Sequence, residues 1–156
     1  MPELLVEILK VIVPGLVVAV VTSLITVHLS LRRFHAEKWW EKKEAAYSSL
    51  IDVVHRLKDY ARLHYDRELG EENPNEEEKK KIENQWKMTN AEYRRLRDLA
   101  AFHVSSQAVD ILARYDERKN LAKNDDIFEW IEKDLEAGAE CLEALIKEAR
   151  RDLRAQ

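Results

Sequence analysis

Between Val11 and Leu31 the chain runs for 21 residues without a formal charge (VIVPGLVVAVVTSLITVHLSL), and no later stretch approaches this apolarity. A helix of that length spans about 30 Å, the hydrocarbon thickness of a bilayer. The stretch therefore predicts one transmembrane helix. A cleaved signal peptide would begin basic, carry a shorter apolar region and end in a small-x-small site. Here Glu3 and Glu7 precede the run, and bulky Leu29, Leu31 and Phe34 close it. A core helix of a water-soluble domain would show a polar stripe, and this segment has none.

Charge at the two ends sets the expected orientation. Lys10 stands alone before the run, whereas Arg32, Arg33, Lys38, Lys42 and Lys43 follow it. Basic residues stay on the cytoplasmic side, so the C-terminal part is expected in the cytoplasm. Trp39 and Trp40, two turns further on, suit the headgroup layer and with Arg32 and Arg33 form the expected membrane interface. The single Cys141 fits a reducing compartment.

Three segments follow: an amphipathic turn at 1–10, the membrane helix at 11–31 and a cytosolic helical domain at 32–156. In the first, Glu7 and Lys10 share a face and are candidates for a polar seam between copies. Pro14-Gly15 is a candidate kink. Beyond Leu31 the chain is rich in Leu, Ala, Glu, Lys and Arg, with no alternating β-type segment, and glycine recurs only at 70 and 138. About 125 residues can bury one core.

Heptad spacing then marks the helices. Tyr47, Leu50, Val54, Leu57, Ala61 and His64 form the first line, and Ile82, Trp86, Thr89, Tyr93, Leu96, Ala100 and His103 the second. Between them Gly70 suits a left-handed helix end, and Asn73 or Asn75 an N-cap. A serine of Val104-Ser105-Ser106 is expected to cap a short helix through Val109, Leu112 and Ala113, before a polar loop from Arg118 to Asn124. Asp126 with Glu129 reads as a capping box for a last helix, whose core line is Phe128, Ile131, Leu135, Gly138, Leu142, Leu145 and Ala149. The expected architecture is all-α: a membrane helix continuous with an antiparallel bundle of three long helices and one short one.

The block Phe34-x-x-Glu37-Lys38-Trp39-Trp40-x-x-Lys43-x-x-Ala46-Tyr47 resembles the juxtamembrane signature of a family of uncharacterised bacterial single-pass inner-membrane proteins. Later stretches share the likeness: Ala101-Phe102-x-Val104-Ser105-x-x-Ala108-Val109-x-x-Leu112, Asn124-Asp125-Asp126-x-Phe128 and Cys141-Leu142-x-x-Leu145. The resemblance implies a bacterial inner-membrane location and a helical cytosolic domain. It supplies no catalytic residue and no cofactor.

Chemistry is sparse. Asp52-x-x-His55 puts a carboxylate and an imidazole one turn apart, but helical di-metal sites need Glu-x-x-His pairs, which this chain lacks. No metal site is expected. Neither a nucleophile elbow nor a Gly-rich phosphate loop occurs. Cys141 lies beside the core line of the last helix, where thiols are inert. The one cluster with ligand character is Lys87, Asn90, Arg94, Arg95 and Arg97, interleaved with Trp86 and Tyr93 and joined by Lys119, Asn120, Lys123 and Asn124. Guanidinium forks and aromatic faces suit phosphates and bases. A solvated face paired with Glu92 and Asp98 would look the same. Residues 86–123 carry eight basic and five acidic groups, against five and ten over 124–156, and the net charge of −4 excludes duplex DNA as a partner.

Two functional classes fit. One is a non-enzymatic membrane-anchored interaction or sensor module that binds a protein partner or itself. The other is a ligand-gated oligomeric membrane effector. It is similar in design to small bacterial membrane proteins that answer cyclic oligonucleotides in antiphage defence, and it would take a small phosphorylated ligand. The small-xxx-small spacing of Gly15, Ala19 and Ser23 fits self-association within the bilayer.

Overall fold

The computed structural model describes the backbone of residues 2–70, 75–121 and 126–155, with side chains from Gly15 onward except Glu68 and Ile127. Glu7, Lys10, Asn73, Lys123 and Asn124, singled out above, lie outside the described side chains. The described residues form four helices and no strand: α1 (Pro2–Glu68), α2 (Glu76–Ala100), α3 (Ser106–Leu121) and α4 (Ile127–Arg154). Two compact units result, Met1–Glu41 and Lys42–Gln156.

In the first unit α1 stays helical through Pro14 and Gly15. The residues after Gly15 make a helix long and apolar enough to cross a membrane, and none of its apolar window is buried within the chain. Val18, Leu24 and Leu29 are each more than half exposed. The hydroxyl of Thr26 donates back to the Thr22 carbonyl at 2.8 Å, which hides a polar group that the apolar surroundings would not solvate. Arg32, Arg33, Trp39 and Trp40 are exposed on the same helix.

The second unit holds the core. Tyr47, Leu50, Val53, Val54 and Leu57 of α1 share one buried cluster with Tyr93 and Ala100 of α2, Ala108, Ile111, Leu112 and Tyr115 of α3, and Ala137, Cys141, Leu145 and Ala149 of α4. The α1 line follows the heptad spacing. In α4 the buried face is wider and turned by about one residue. Asp134, Ala137, Cys141 and Glu148 are buried, while Leu135 and Leu142 are half-buried. A helix that packs on two neighbours buries more than one narrow stripe, and α4 meets both α1 and α3. Gly138 faces Lys58 of α1, and a Cβ there would make ordinary contact with that side chain at 3.4 Å.

Cross-helix pairs fix the register. Lys43 of α1 pairs with Asp152 of α4 at 2.7 Å, and near the other end of that α1 segment the rings of Tyr65 and Phe128 lie 5.1 Å apart. The Tyr47 hydroxyl donates to Asp152 at 2.8 Å and accepts from the Ser105 backbone N–H at 3.2 Å. Ser105 Oγ donates to buried Glu148 at 2.5 Å and accepts the Ala108 N–H at 3.1 Å, so Ser105 caps α3 as its sequence suggests. Burial opposes ionisation of Asp152, but the hydrogen bonds from Lys43 and Tyr47 hold its carboxyl below the ordinary value.

Helix ends follow the sequence in part. Gly70 takes φ +79°, the left-handed position after α1. Asn75 caps α2, accepting from the N–H groups of Glu77 and Glu78 at 3.1 and 2.9 Å while the Glu78 carboxylate closes the box. Asp126 precedes α4 without any side-chain cap, and Glu129 pairs forward with Lys133 at 2.8 Å instead. The polar residues Arg118 to Leu121 are helical, not a loop, because α3 keeps its buried face through Tyr115 and turns the remainder to solvent.

Candidate ligand-binding cavity

α2 carries Trp86, Asn90, Tyr93 and Arg97 along one face at intervals of four, three and four residues. Asp116, Lys119 and Asn120 of α3 lie across from them at the same helical spacing. With Arg94 of α2 and Trp130 of α4, these side chains line a cavity of about 340 Å³. That volume lies within the range of small-molecule sites.

Of the nine polar residues of the expected ligand cluster, Asn90, Arg94, Arg97, Lys119 and Asn120 converge here. Lys87 and Arg95 do not. Lys87 is drawn one turn back to Glu83, at 2.6 Å, and Arg95 points about 100° round the helix from Arg94, into solvent. Lys123 and Asn124 lie outside the described residues.

Asp116 organises the site, and the sequence reading passed over it. It accepts from the Tyr93 hydroxyl at 3.0 Å and from Arg97 at 2.5 Å. Its position four residues after the buried Leu112 was the available signal. Arg97 also donates to Asp98 at 3.0 and 2.9 Å, and the bonds to Asp116 and then Asp98 raise the guanidinium further above its ordinary value. Burial, followed by the Asp116 charge, raises the Tyr93 phenol, so both groups keep their protons throughout the physiological range. Tyr93 stacks edge-on against Tyr115 with centroids 5.7 Å apart. Lys119 sits 5.6 Å over the Tyr115 ring and donates to Asn90 Oδ1 at 3.1 Å. Arg94 is exposed and makes no ion pair among the described residues. The cavity thus offers the Arg94 guanidinium, the Lys119 ammonium and amide donors beside two indole rings, while Arg97 is engaged by Asp98 and Asp116.

No family model, curated protein or solved structure matches this chain. Any functional reading rests on the residues themselves.

The other candidate groups are engaged structurally. Asp52 pairs with Arg56 at 3.1 Å and His55 lies 3.5 Å from Asp59, so each is drawn to a side chain one turn on. Among the described residues no three His, Cys, Asp or Glu side chains gather around a point where a metal could bind. Burial pushes the Cys141 thiol up to about 12, which leaves it protonated and unreactive at neutral pH.

Proposed function

We propose that the chain is a single-pass protein of the bacterial inner membrane whose cytoplasmic part, an antiparallel helical bundle, is a non-enzymatic sensor for a small phosphorylated ligand. The observation that carries the sensor reading is the convergence of Asn90, Arg94, Arg97, Lys119 and Asn120 on one cavity beside Trp86 and Trp130. The Arg94 guanidinium and the Lys119 ammonium favour phosphate oxygens, Arg97 stands beside them held by Asp98 and Asp116, and the indoles add faces for a flat ring. Membrane anchoring is supported by the exposed apolar residues after Gly15, and the orientation by the five basic residues that follow Leu31. The pairs Lys43–Asp152 and Tyr65–Phe128 support opposed directions for α1 and α4 in the bundle. The protonated Cys141 and the committed carboxylates support a role without catalysis.

Gated assembly is the second reading. Gly15, Ala19 and Ser23 recur at four-residue intervals and are exposed, the spacing that lets membrane helices approach closely. Assembly through them would make the protein a homo-oligomeric effector and bring several cavities around one axis.

Thermal melting of the full chain in a neutral detergent tests the sensor reading, with pyrophosphate, mononucleotides and cyclic dinucleotides as probes. A ligand at a hundred times its Kd should stabilise the protein by about 2.7 kcal/mol. Arg94→Ala/Arg97→Ala should abolish the response and Arg95→Ala should leave it intact. No response to any probe, or one that survives the double substitution, would discard this reading.

A further inference from the structure

Trp86 and Trp130 also wall a second cavity, of about 170 Å³, whose chemistry is the opposite of the first. Its polar lining consists of Glu83, Asp134 and His64, and no lysine or arginine contributes to it. Asp134 is only 6% exposed, and its Oδ1 has no hydrogen-bond partner among the described residues. Trp130 Nε1 is likewise buried without a partner. Burial raises the Asp134 carboxyl above its ordinary value, and the charges of Lys119 and then His64 only partly offset it. An acceptor left without a donor in such surroundings is costly, so groups of this kind usually have a partner.

Three features define what would fit. The unpartnered Oδ1 calls for an N–H or O–H donor. A buried carboxylate gains most from a donor that carries positive charge. The two indoles favour the same sign, because aromatic faces attract cations. Size gives the third limit: a cavity of about 150 Å³ holds one benzene, so this one admits a group of five to seven non-hydrogen atoms.

We propose that this cavity binds the N–H-bearing end of a compact organic cation, an alkylammonium held by Asp134 between Trp86 and Trp130. The proposal does not rest on the phosphate-ligand reading: the two cavities share Trp86 and Trp130, but Asp134, Glu83 and His64 line this one alone. An alkylammonium could arrive as a free amine or as the headgroup of an aminophospholipid, and the two sources are separable by experiment.

The test uses the full chain in a neutral detergent, titrated with n-butylammonium chloride while tryptophan fluorescence and the melting temperature are followed. Tetramethylammonium chloride, of equal charge and atom count but without an N–H, is the control, and phosphatidylethanolamine in mixed micelles is the lipid arm. Expected is a saturable response to n-butylammonium, at least about tenfold weaker for tetramethylammonium, which corresponds to about 1.4 kcal/mol. Asp134→Asn should remove the thermal response, and Trp130→Phe should remove the fluorescence change. If Asp134→Asn does not fold, Glu83→Gln at the exposed edge should weaken binding in its place. A response to the lipid arm alone would support the site and assign its source to the membrane. Equal responses to the two ammonium ions, an undiminished response in both carboxylate variants, or no response in any arm would overturn the proposal.

Discussion

Val18 and Val53 stand on the same helix, yet one is 64% exposed and the other has no exposure at all. Around Val18 every face of α1 is apolar, so no face is distinguished, and none of the described residues buries it. Around Val53 the apolar positions lie to one side, and Asp52, His55 and Arg56 occupy the other. The same side chain on the same backbone thus meets two solvents, hydrocarbon in the proposed setting and a protein core in the other. The difference teaches that the pattern around a helix, not apolarity itself, decides which of the two a segment requires.

Charge in the first region should give the largest effect. Val20→Arg/Leu24→Arg should move the protein out of the membrane fraction on carbonate extraction, because each arginine at mid-span costs about 2.5–3.5 kcal/mol. The circular dichroism of the released protein should still report a folded helical domain. Retention of the variant in the membrane would break the contrast, since it would mean that another surface holds the chain there.

Truncation sharpens it. Leu50→Ala in the core should lower the stability of the helical domain in urea by about 2–5 kcal/mol. Leu24→Ala, which removes the same atoms from an exposed position, should leave that transition unchanged. Equal losses would place Leu24 in a packed core as well. Half-buried Leu135 should fall below the Leu50 value.

The smallest effect is electrostatic and confined to the second region. The Asp152 carboxyl ionises more readily in the folded than in the unfolded chain, so its stabilisation is present above the ordinary value of 3.8 and is lost as pH falls through the lower folded value. Hydrogen bonds to a charged group are worth about 1.5–3 kcal/mol each. Asp152→Asn should therefore be less stable than the wild type at neutral pH, and the two should converge in acid. A constant difference across the range would mean that Lys43 and Tyr47 do not act through the charge.

How far the sequence revealed this fold depends on the same contrast. Where apolar residues are confined to one line, as in Tyr47–Ala61, the spacing alone located the buried face. In α4 the buried face includes Asp134, Cys141 and Glu148, and polar residues on a buried face break the pattern that reveals it. Spacing points to Leu135 and Leu142 for that reason, and both are only half-buried. The basic cavity was half legible. Helical spacing grouped Asn90, Arg94 and Arg97, and a neighbouring segment supplied Lys119 and Asn120. Asp116 and Trp130 escaped because they reach the site only through the packing of α3 and α4 against α2. The acidic cavity left no sequence trace, since Glu83, Asp134 and His64 come from three helices.

In the proposed topology α1 passes through the membrane and leaves residues 42–156 in the cytoplasm. Paired fusions of alkaline phosphatase and a fluorescent protein after Gln156, expressed in a bacterial host, test it directly. Expected are a fluorescent, carbonate-resistant membrane protein and an inactive phosphatase. Strong phosphatase activity without fluorescence, or a fluorescent fusion that carbonate releases, would contradict it.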